Sequence, residues 1–221
     1  MRRSIIVFVL TFLFLSVSFA HVTPSGSHSI DSSTLSSYTW QEIYNGYGLV
    51  NANNNYVYLR PRAVTGPLSN TSAALVVLTD TLPRDYVFSA DVTLIKQLRI
   101  GNPPNPWETA WLLYNYQDPD NFWYFTPKTN GIELARVVND EQQFFVTENS
   151  PQIQEGQKYK LTSIVRNGIV SEFINDQEVA TYNMGSSYSA SNSLALYTED
   201  AEVSFENILI TPFTQHGVRI G

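Results

Sequence analysis

The chain has no cysteine in 221 residues, only two methionines and three histidines, and charged side chains make up just 15% of it. Zero Cys excludes disulfides, thiol nucleophiles, and zinc or iron–sulfur sites built on thiolates. Basic residues are scarce as well: 13 Lys+Arg face 20 Asp+Glu, for a formal charge of -7. That balance argues against nucleic-acid partners, which require a basic surface, and leaves room for a bound cation such as calcium. Low charge combined with 13 Tyr and 12 Phe excludes a disordered chain and a helical coiled coil. The length suits one domain, or one domain with tails.

Long apolar runs are missing except at the start. Arg2 and Arg3 precede the run from Ile5 to Leu15, and small residues follow at Ser18 and Ala20. This pattern predicts a secretory signal peptide over residues 1–20, cleaved after Ala20. The run is shorter than the roughly 20 residues a spanning helix needs, so an uncleaved anchor is the lesser reading and no membrane partner is expected after cleavage. The expected location is secreted, extracellular. Cleavage would expose His21 as an N-terminus able to chelate copper. The second His that such a site needs could come only from His28 or His216, both in tail-like sequence, so chance placement explains it better.

Residues 21–37 are Ser/Thr-rich without hydrophobic periodicity and read as a flexible leader. The expected domain runs over 38–213, with a short tail at 214–221. Strands are predicted at 38–44, 55–60, 73–79, 86–96, 108–116, 122–127, 132–138, 142–148, 158–166, 169–174, 177–182, 193–198 and 202–210. The alternation is plain in Lys158-Tyr159-Lys160-Leu161-Thr162-Ser163-Ile164-Val165. Asn167-Gly168 is the strongest hairpin signal, joined by Asn130-Gly131, Asn175-Asp176 and Asp118-Pro119-Asp120-Asn121. No window has the spacing of an amphipathic helix. The predicted fold is all-β, an antiparallel β-sandwich of jelly-roll type.

The stretch from Asn105 to Phe125, with Trp107-Glu108-Thr109-Ala110-Trp111-Leu112-Leu113-Tyr114-Asn115-Tyr116, continues through Asn130-Gly131-Ile132-Glu133-Leu134-Ala135-Arg136. Together with Gly156-Gln157-Lys158-Tyr159, Asn175-Asp176 and the closing Leu194-Ala195-Leu196-Tyr197-Thr198-Glu199-Asp200, it resembles secreted concanavalin A-like (laminin-G-like) jelly-roll domains. In particular it is similar to the group labelled glycoside hydrolase family 16-like or 3-keto-disaccharide hydrolase-like, across roughly Tyr86 to Thr211. The resemblance implies the fold and a glycan-related role. The Glu-x-Asp-x-x-Glu strand of true family 16 hydrolases is absent, as is the Asn-Ser-Gly strand of the keto-disaccharide relatives.

A hairpin near Asn130-Gly131 would set Thr126 opposite Glu133, Phe125 opposite Leu134 and Tyr124 opposite Ala135. Tyr124, Thr126 and Glu133 then share one face, and Trp123, Phe125 and Leu134 the other. The aromatic density exceeds what one core layer needs. The expected site is a groove where Trp107, Trp111, Tyr114, Tyr116 and Tyr124 offer flat faces to sugar rings, with polar contacts from Glu108, Asn115 and Glu133. The same residues as plain core and rim are the alternative. The leading expectation is a secreted carbohydrate-binding, lectin-like domain whose partner is a polysaccharide or cell-surface glycan. The second is a glycoside hydrolase using the carboxyl pair Glu108 and Glu133. A lyase would need a Tyr base with Arg99 or Arg136 on a uronate. A structural or adhesive surface protein is a further alternative. Asp118, Asp120 and Asn121 form an oxygen-rich turn that could hold a structural calcium, although a plain turn explains the same residues. Asn70-Thr71-Ser72 is an N-glycosylation sequon.

Overall fold

A computed structural model describes residues 38–67, 70–185, 188 and 193–212. The expected signal peptide, leader and tail (1–20, 21–37 and 214–221) lie outside the described residues, as do His21, His28 and His216. Among the described residues fourteen strands form two seven-stranded sheets, every strand pair antiparallel. Numbered along the chain, the first sheet runs β1 (Trp40–Tyr44), β4 (Ala73–Leu78), β13 (Leu194–Glu199), β6 (Ala110–Asp118), β7 (Asn121–Lys128), β8 (Gly131–Val138) and β9 (Glu141–Glu148). The second runs β12 (Gln177–Asn183), β11 (Ile169–Ile174), β10 (Lys158–Arg166), β5 (Tyr86–Gln97), β14 (Ala201–Pro212), β3 (Tyr56–Arg60) and β2 (Leu49–Asn53). Among the described residues there is no α-helix.

The turns follow from residues that tolerate a left-handed backbone. Asn167 (φ 52) and Gly168 (φ 76) join β10 to β11, and Asn175 (φ 53) and Asp176 (φ 64) join β11 to β12. Both are the two-residue hairpins whose twist matches that of the flanking strands. Thr126 pairs with Glu133, Phe125 with Leu134 and Tyr124 with Ala135, as the alternation predicts. Gly131 opens β8 at φ 143, where an added Cβ would fall 1.8 Å from the Glu148 carbonyl oxygen. β2 is the strand missing from the sequence prediction. Its asparagines, Asn51 and Asn53, are poor strand formers, and the strand is an edge held by β3 alone.

The sheets face each other across a core in which Phe88, Phe125, Phe205, Leu112, Leu134 and Leu161 are buried. At one edge Trp123, Phe145 and Tyr182 stack across the sheets with centroids 4.4–5.9 Å apart. A second apolar layer covers the opposite, outward face of the first sheet: Leu75, Trp111, Leu113, Tyr124, Ala135, Val137 and Ala195.

β13 and β14 belong to different sheets and are separated by a single residue, Asp200, at φ 48. The corner needs a left-handed residue, and Asp is held there by its own side chain. Oδ1 accepts from the Ser72 backbone N–H at 2.9 Å and Oδ2 from Arg99 Nη2 at 2.6 Å. Arg99 Nε also donates to Glu108 Oε1 at 2.6 Å, and Nη1 to the Asn70 carbonyl at 3.0 Å. The three charged side chains are buried. One guanidinium thus ties the β5–β6 connection to the sheet-crossing corner.

A third buried carboxyl lies between the sheets. Glu172 accepts from Tyr114 at 2.5 Å and from Ser163 at 2.5 Å, and burial pushes its pKa up to about 7 despite these two donors. The folded state therefore binds a proton that the unfolded chain has released. Stability contributed by the protonated form is complete below about pH 4.5, falls as pH rises toward 7, and is lower by roughly 3 kcal/mol above that. Glu172→Gln copies the neutral acid, because its amide can donate to Ser163 while its oxygen still accepts from Tyr114. Urea unfolding of E172Q across this pH range should show a shallower decline in stability than the parent. An unchanged slope would mean Glu172 is not the titrating group.

Candidate functional site

The outward layer of the first sheet carries a groove of about 330 Å³. Its rings come from four strands: the consecutive β6 and β7, and β1 and β13, which are far from them in sequence. Tyr44 of β1 pairs with Leu75 of β4, Leu75 with Tyr197 of β13, and Tyr197 with Trp111 of β6. Tyr116 and Phe122 enclose the other end beside the β6–β7 turn, where Pro119 also lines the groove. Trp111 sits 4.5 Å from Tyr124 and 5.4 Å from Tyr197, edge-on to the latter; Phe122 lies 6.0 Å from Tyr124 and 6.3 Å from Tyr116. The result is one continuous aromatic chain.

Polar groups edge this apolar floor. Asp140 is exposed in the β8–β9 turn, where Asn139 (φ 52) and Asp140 (φ 66) are both left-handed. Gln142 lies beside it and donates to the Tyr124 hydroxyl at 3.3 Å. Glu199, half-buried at the end of β13, completes the lining. Burial, then the neighbouring Asp200 and Glu108 carboxyls, push its pKa up to about 7 against the pull of Arg99. Tyr44 is pushed up to about 12 by burial, with Tyr116 and Glu199 adding to it. Burial first, then acidic neighbours, also raise Tyr116, Tyr124 and Tyr197. The phenols are therefore neutral hydrogen-bonding groups around a carboxyl that carries a proton near neutrality.

The architecture has relatives among solved structures, all of low sequence identity. A carbohydrate-binding module, CBM66 from Bacillus subtilis, superposes with a TM-score of 0.57 at 13% identity, covering 78% of this chain and 94% of that one. The fold is the concanavalin A-like jelly roll. A Saccharomyces cerevisiae protein of unknown function matches the sandwich with a TM-score of 0.51 at 12% identity, over 82% and 99% of the two chains. A sialidase matches at 0.50 and 9% identity, over 78% of this chain but 17% of its own. No protein-family model matches the chain, and no curated protein does.

Within this concanavalin A-like sandwich the expected site residues separate. Trp111 and Tyr116 line the groove, and Tyr124 lies buried beneath its rim, in contact with Trp111 and Phe122. Tyr114 does not face the groove. It points between the sheets to Glu172, because its parity follows Leu112 and is opposite to that of Trp111. Asn115, at φ 49, is buried and marks the irregularity where β6 slips against β7 between Tyr114 and Asp118. That slip brings Tyr116 round to Phe122 on the outer face, where strict alternation would have turned it inward. Trp107 is exposed in the loop before β6 and its ring does not line the groove; its carbonyl accepts from Trp111 Nε1 at 2.8 Å.

Nor do the two expected carboxyls open on the groove. Glu108 is sealed against Arg99 and Asn105, and its Oε2 is buried without a hydrogen-bond partner. Glu133 accepts from Tyr124 at 2.7 Å and from Lys128 at 2.9 Å. Both are structural acceptors. Arg136 packs over Trp123 and Phe145, so neither it nor buried Arg99 is placed to meet a uronate in the groove. The Asp118–Asn121 turn engages its carboxylate within the turn itself. Asp118 Oδ1 accepts from the Asp120 backbone N–H and from Asn121 Nδ2, both at 2.9 Å. Among the described residues no group of three or more His, Cys, Asp or Glu side chains could hold a metal ion.

The sequence reading missed Tyr44, Phe122, Asp140, Gln142, Tyr197 and Glu199. Asn139-Asp140 is a turn signal of the same kind as Asn175-Asp176. Tyr197 and Glu199 stand in the closing motif that carries the family resemblance. Nothing local places Tyr44 beside them.

Proposed function

We propose that the protein binds carbohydrate non-covalently in the aromatic groove on the outward face of its first sheet. The observation that carries this reading is the groove's makeup: an unbroken chain of rings edged by Asp140, Gln142 and Glu199. Sugar rings present C–H faces that stack on aromatics and hydroxyls that need carboxyl, amide and phenol partners. The concanavalin A-like fold supports the reading through the CBM66 likeness, as does the export signal read in residues 1–20, which points to extracellular polysaccharide or cell-surface glycan as the ligand.

Tyr116 is the best test residue because it is half-buried at the rim and no protein hydrogen bond depends on its side chain among the described residues. Tyr116→Ala should weaken retention on a polysaccharide affinity gel by about tenfold or more, while the melting temperature drops by only about 2–4 °C. Retention equal to the parent's on every polysaccharide would remove the groove as the site.

A hydrolase reading moves, on this geometry, from Glu108 and Glu133 to Glu199 and Asp140. Glu199 is a carboxyl raised to about 7 inside the groove, in the range of a general acid, and Asp140 is a second carboxyl on the same lining. New reducing ends released from a polysaccharide panel, and abolished by Glu199→Gln, would establish it. Binding without release leaves the lectin-like function.

A further inference from the structure

We propose that the groove selects a cationic saccharide, one bearing a free protonated amino group, over neutral and uronic-acid sugars; this rests on the carbohydrate reading above and names the ligand class. The groove's lining contains two carboxyl residues, Asp140 and Glu199, and no Lys, Arg or His. Its floor is a set of ring faces, which attract a cation through the negative face of each π system. Among the described residues the Glu199 carboxyl makes no hydrogen bond and no ion pair. Arg99, the cation whose charge acts on it, is already taken up by Glu108 and Asp200 at 2.6 Å each.

Two carboxyls thus hold the guanidinium while a third, Glu199, feels its charge without contacting it and lines the groove. Burial first, then the Asp200 and Glu108 carboxyls, favour a proton on Glu199 when the groove is empty and push its pKa up to about 7. An ammonium group in the groove can supply the same positive charge while stacking its sugar ring on Trp111, Tyr197 or Tyr44. A uronate would bring a further carboxylate to the same place. An N-acetylated amine has no charge to offer.

The test compares short oligomers of glucosamine, N-acetylglucosamine and a uronic acid by calorimetry. It is run at about pH 6, where such an amine is protonated, and in about 0.15 M salt to screen long-range attraction. The glucosamine oligomer should bind at least about tenfold tighter than the N-acetylated one, and the uronate should show no binding. Glu199→Gln mimics the protonated carboxyl and keeps the fold; it should erase most of that preference. Glu178→Gln, exposed on β12 of the other sheet, removes the same net charge and should leave the preference intact. Equal binding of free-amine and N-acetylated oligomers, stronger binding of the uronate, or a preference that survives E199Q would overturn the cation proposal while leaving carbohydrate binding in place. No heat from any oligomer, together with Tyr116→Ala matching the parent on polysaccharide gels, would overturn both.

Discussion

Arg99→Ala is expected to lower the unfolding free energy by about 3–5 kcal/mol, which for a chain of this size is a fall of roughly 6–20 °C in melting temperature. Removing the guanidinium leaves Glu108 and Asp200 buried side by side without their shared counter-charge. Asp200 already has a pKa raised by burial, held in check by the Ser72 N–H and by Arg99. It also occupies the left-handed corner where the chain passes from one sheet to the other, so the loss falls on a backbone turn as well as a charge pair. The mechanism makes a second demand. Arg99→Met combined with Glu108→Gln and Asp200→Asn should recover a large part of the stability, because the penalty arises from uncompensated charge and not from lost volume. Chemical denaturation of the single and triple variants checks both points. A single variant within about 1 kcal/mol of the parent would show that the trio is not the tie between the sheets.

Trp111→Ala should cost about 3–5 kcal/mol, as expected for an indole removed from a packed layer. Trp111 is only 4% exposed, although it lies outside the space between the sheets. It is the floor on which Tyr124 and Tyr197 rest, and its Nε1 fastens the Trp107 loop. Loss of glycan retention in this variant would follow from collapse of the groove. The informative comparison is therefore Trp111→Ala beside Tyr116→Ala, measured by calorimetric melting and gel retention together. The first should lose both properties, and the second retention alone. A Trp111 variant that melts with the parent would mean the outward layer is a loose surface and not a packed floor.

The contrast between Trp111 and Tyr114 shows what a strand pattern can and cannot reveal. Period-two alternation assigns each to a face, and on that basis alone the two rings belong on opposite sides. Their grouping as one sugar-binding surface came from aromatic density, which does not register parity. Tyr116 is the converse case. Parity would have turned it inward, and only the slip at Asn115 puts it in the groove. Asn is one of the few residues that enter the left-handed region readily, but nothing in the run Leu113-Tyr114-Asn115-Tyr116 distinguishes a bulge from a regular strand.

Glu108 and Glu133 show the second limit. Each has the chemistry of a catalytic acid, and sequence alone cannot say whether a carboxyl faces solvent or a buried cation. The decision belongs to Arg99 and Lys128, which the fold brings against them. Glu199 became the groove's carboxyl for the opposite reason, since its neighbour Asp200 engages the arginine first.

By itself, the sequence determined the all-β class, the hairpins at Asn167-Gly168 and Asn175-Asp176, the pairing of Tyr124 with Ala135, and the placing of Tyr124 on the opposite face from Trp123 and Phe125. These are local matters, governed by turn residues that accept a left-handed backbone and by side chains that alternate along a strand. Only the tertiary structure decided that β13 lies beside the ring-rich hairpin, with β4 and then β1 beyond it, bringing Tyr44, Tyr197 and Glu199 to the face of Trp111, and that Glu108 is sealed away. Strand neighbours separated by scores of residues are chosen by how the whole of both sheets packs, and no short pattern records that choice.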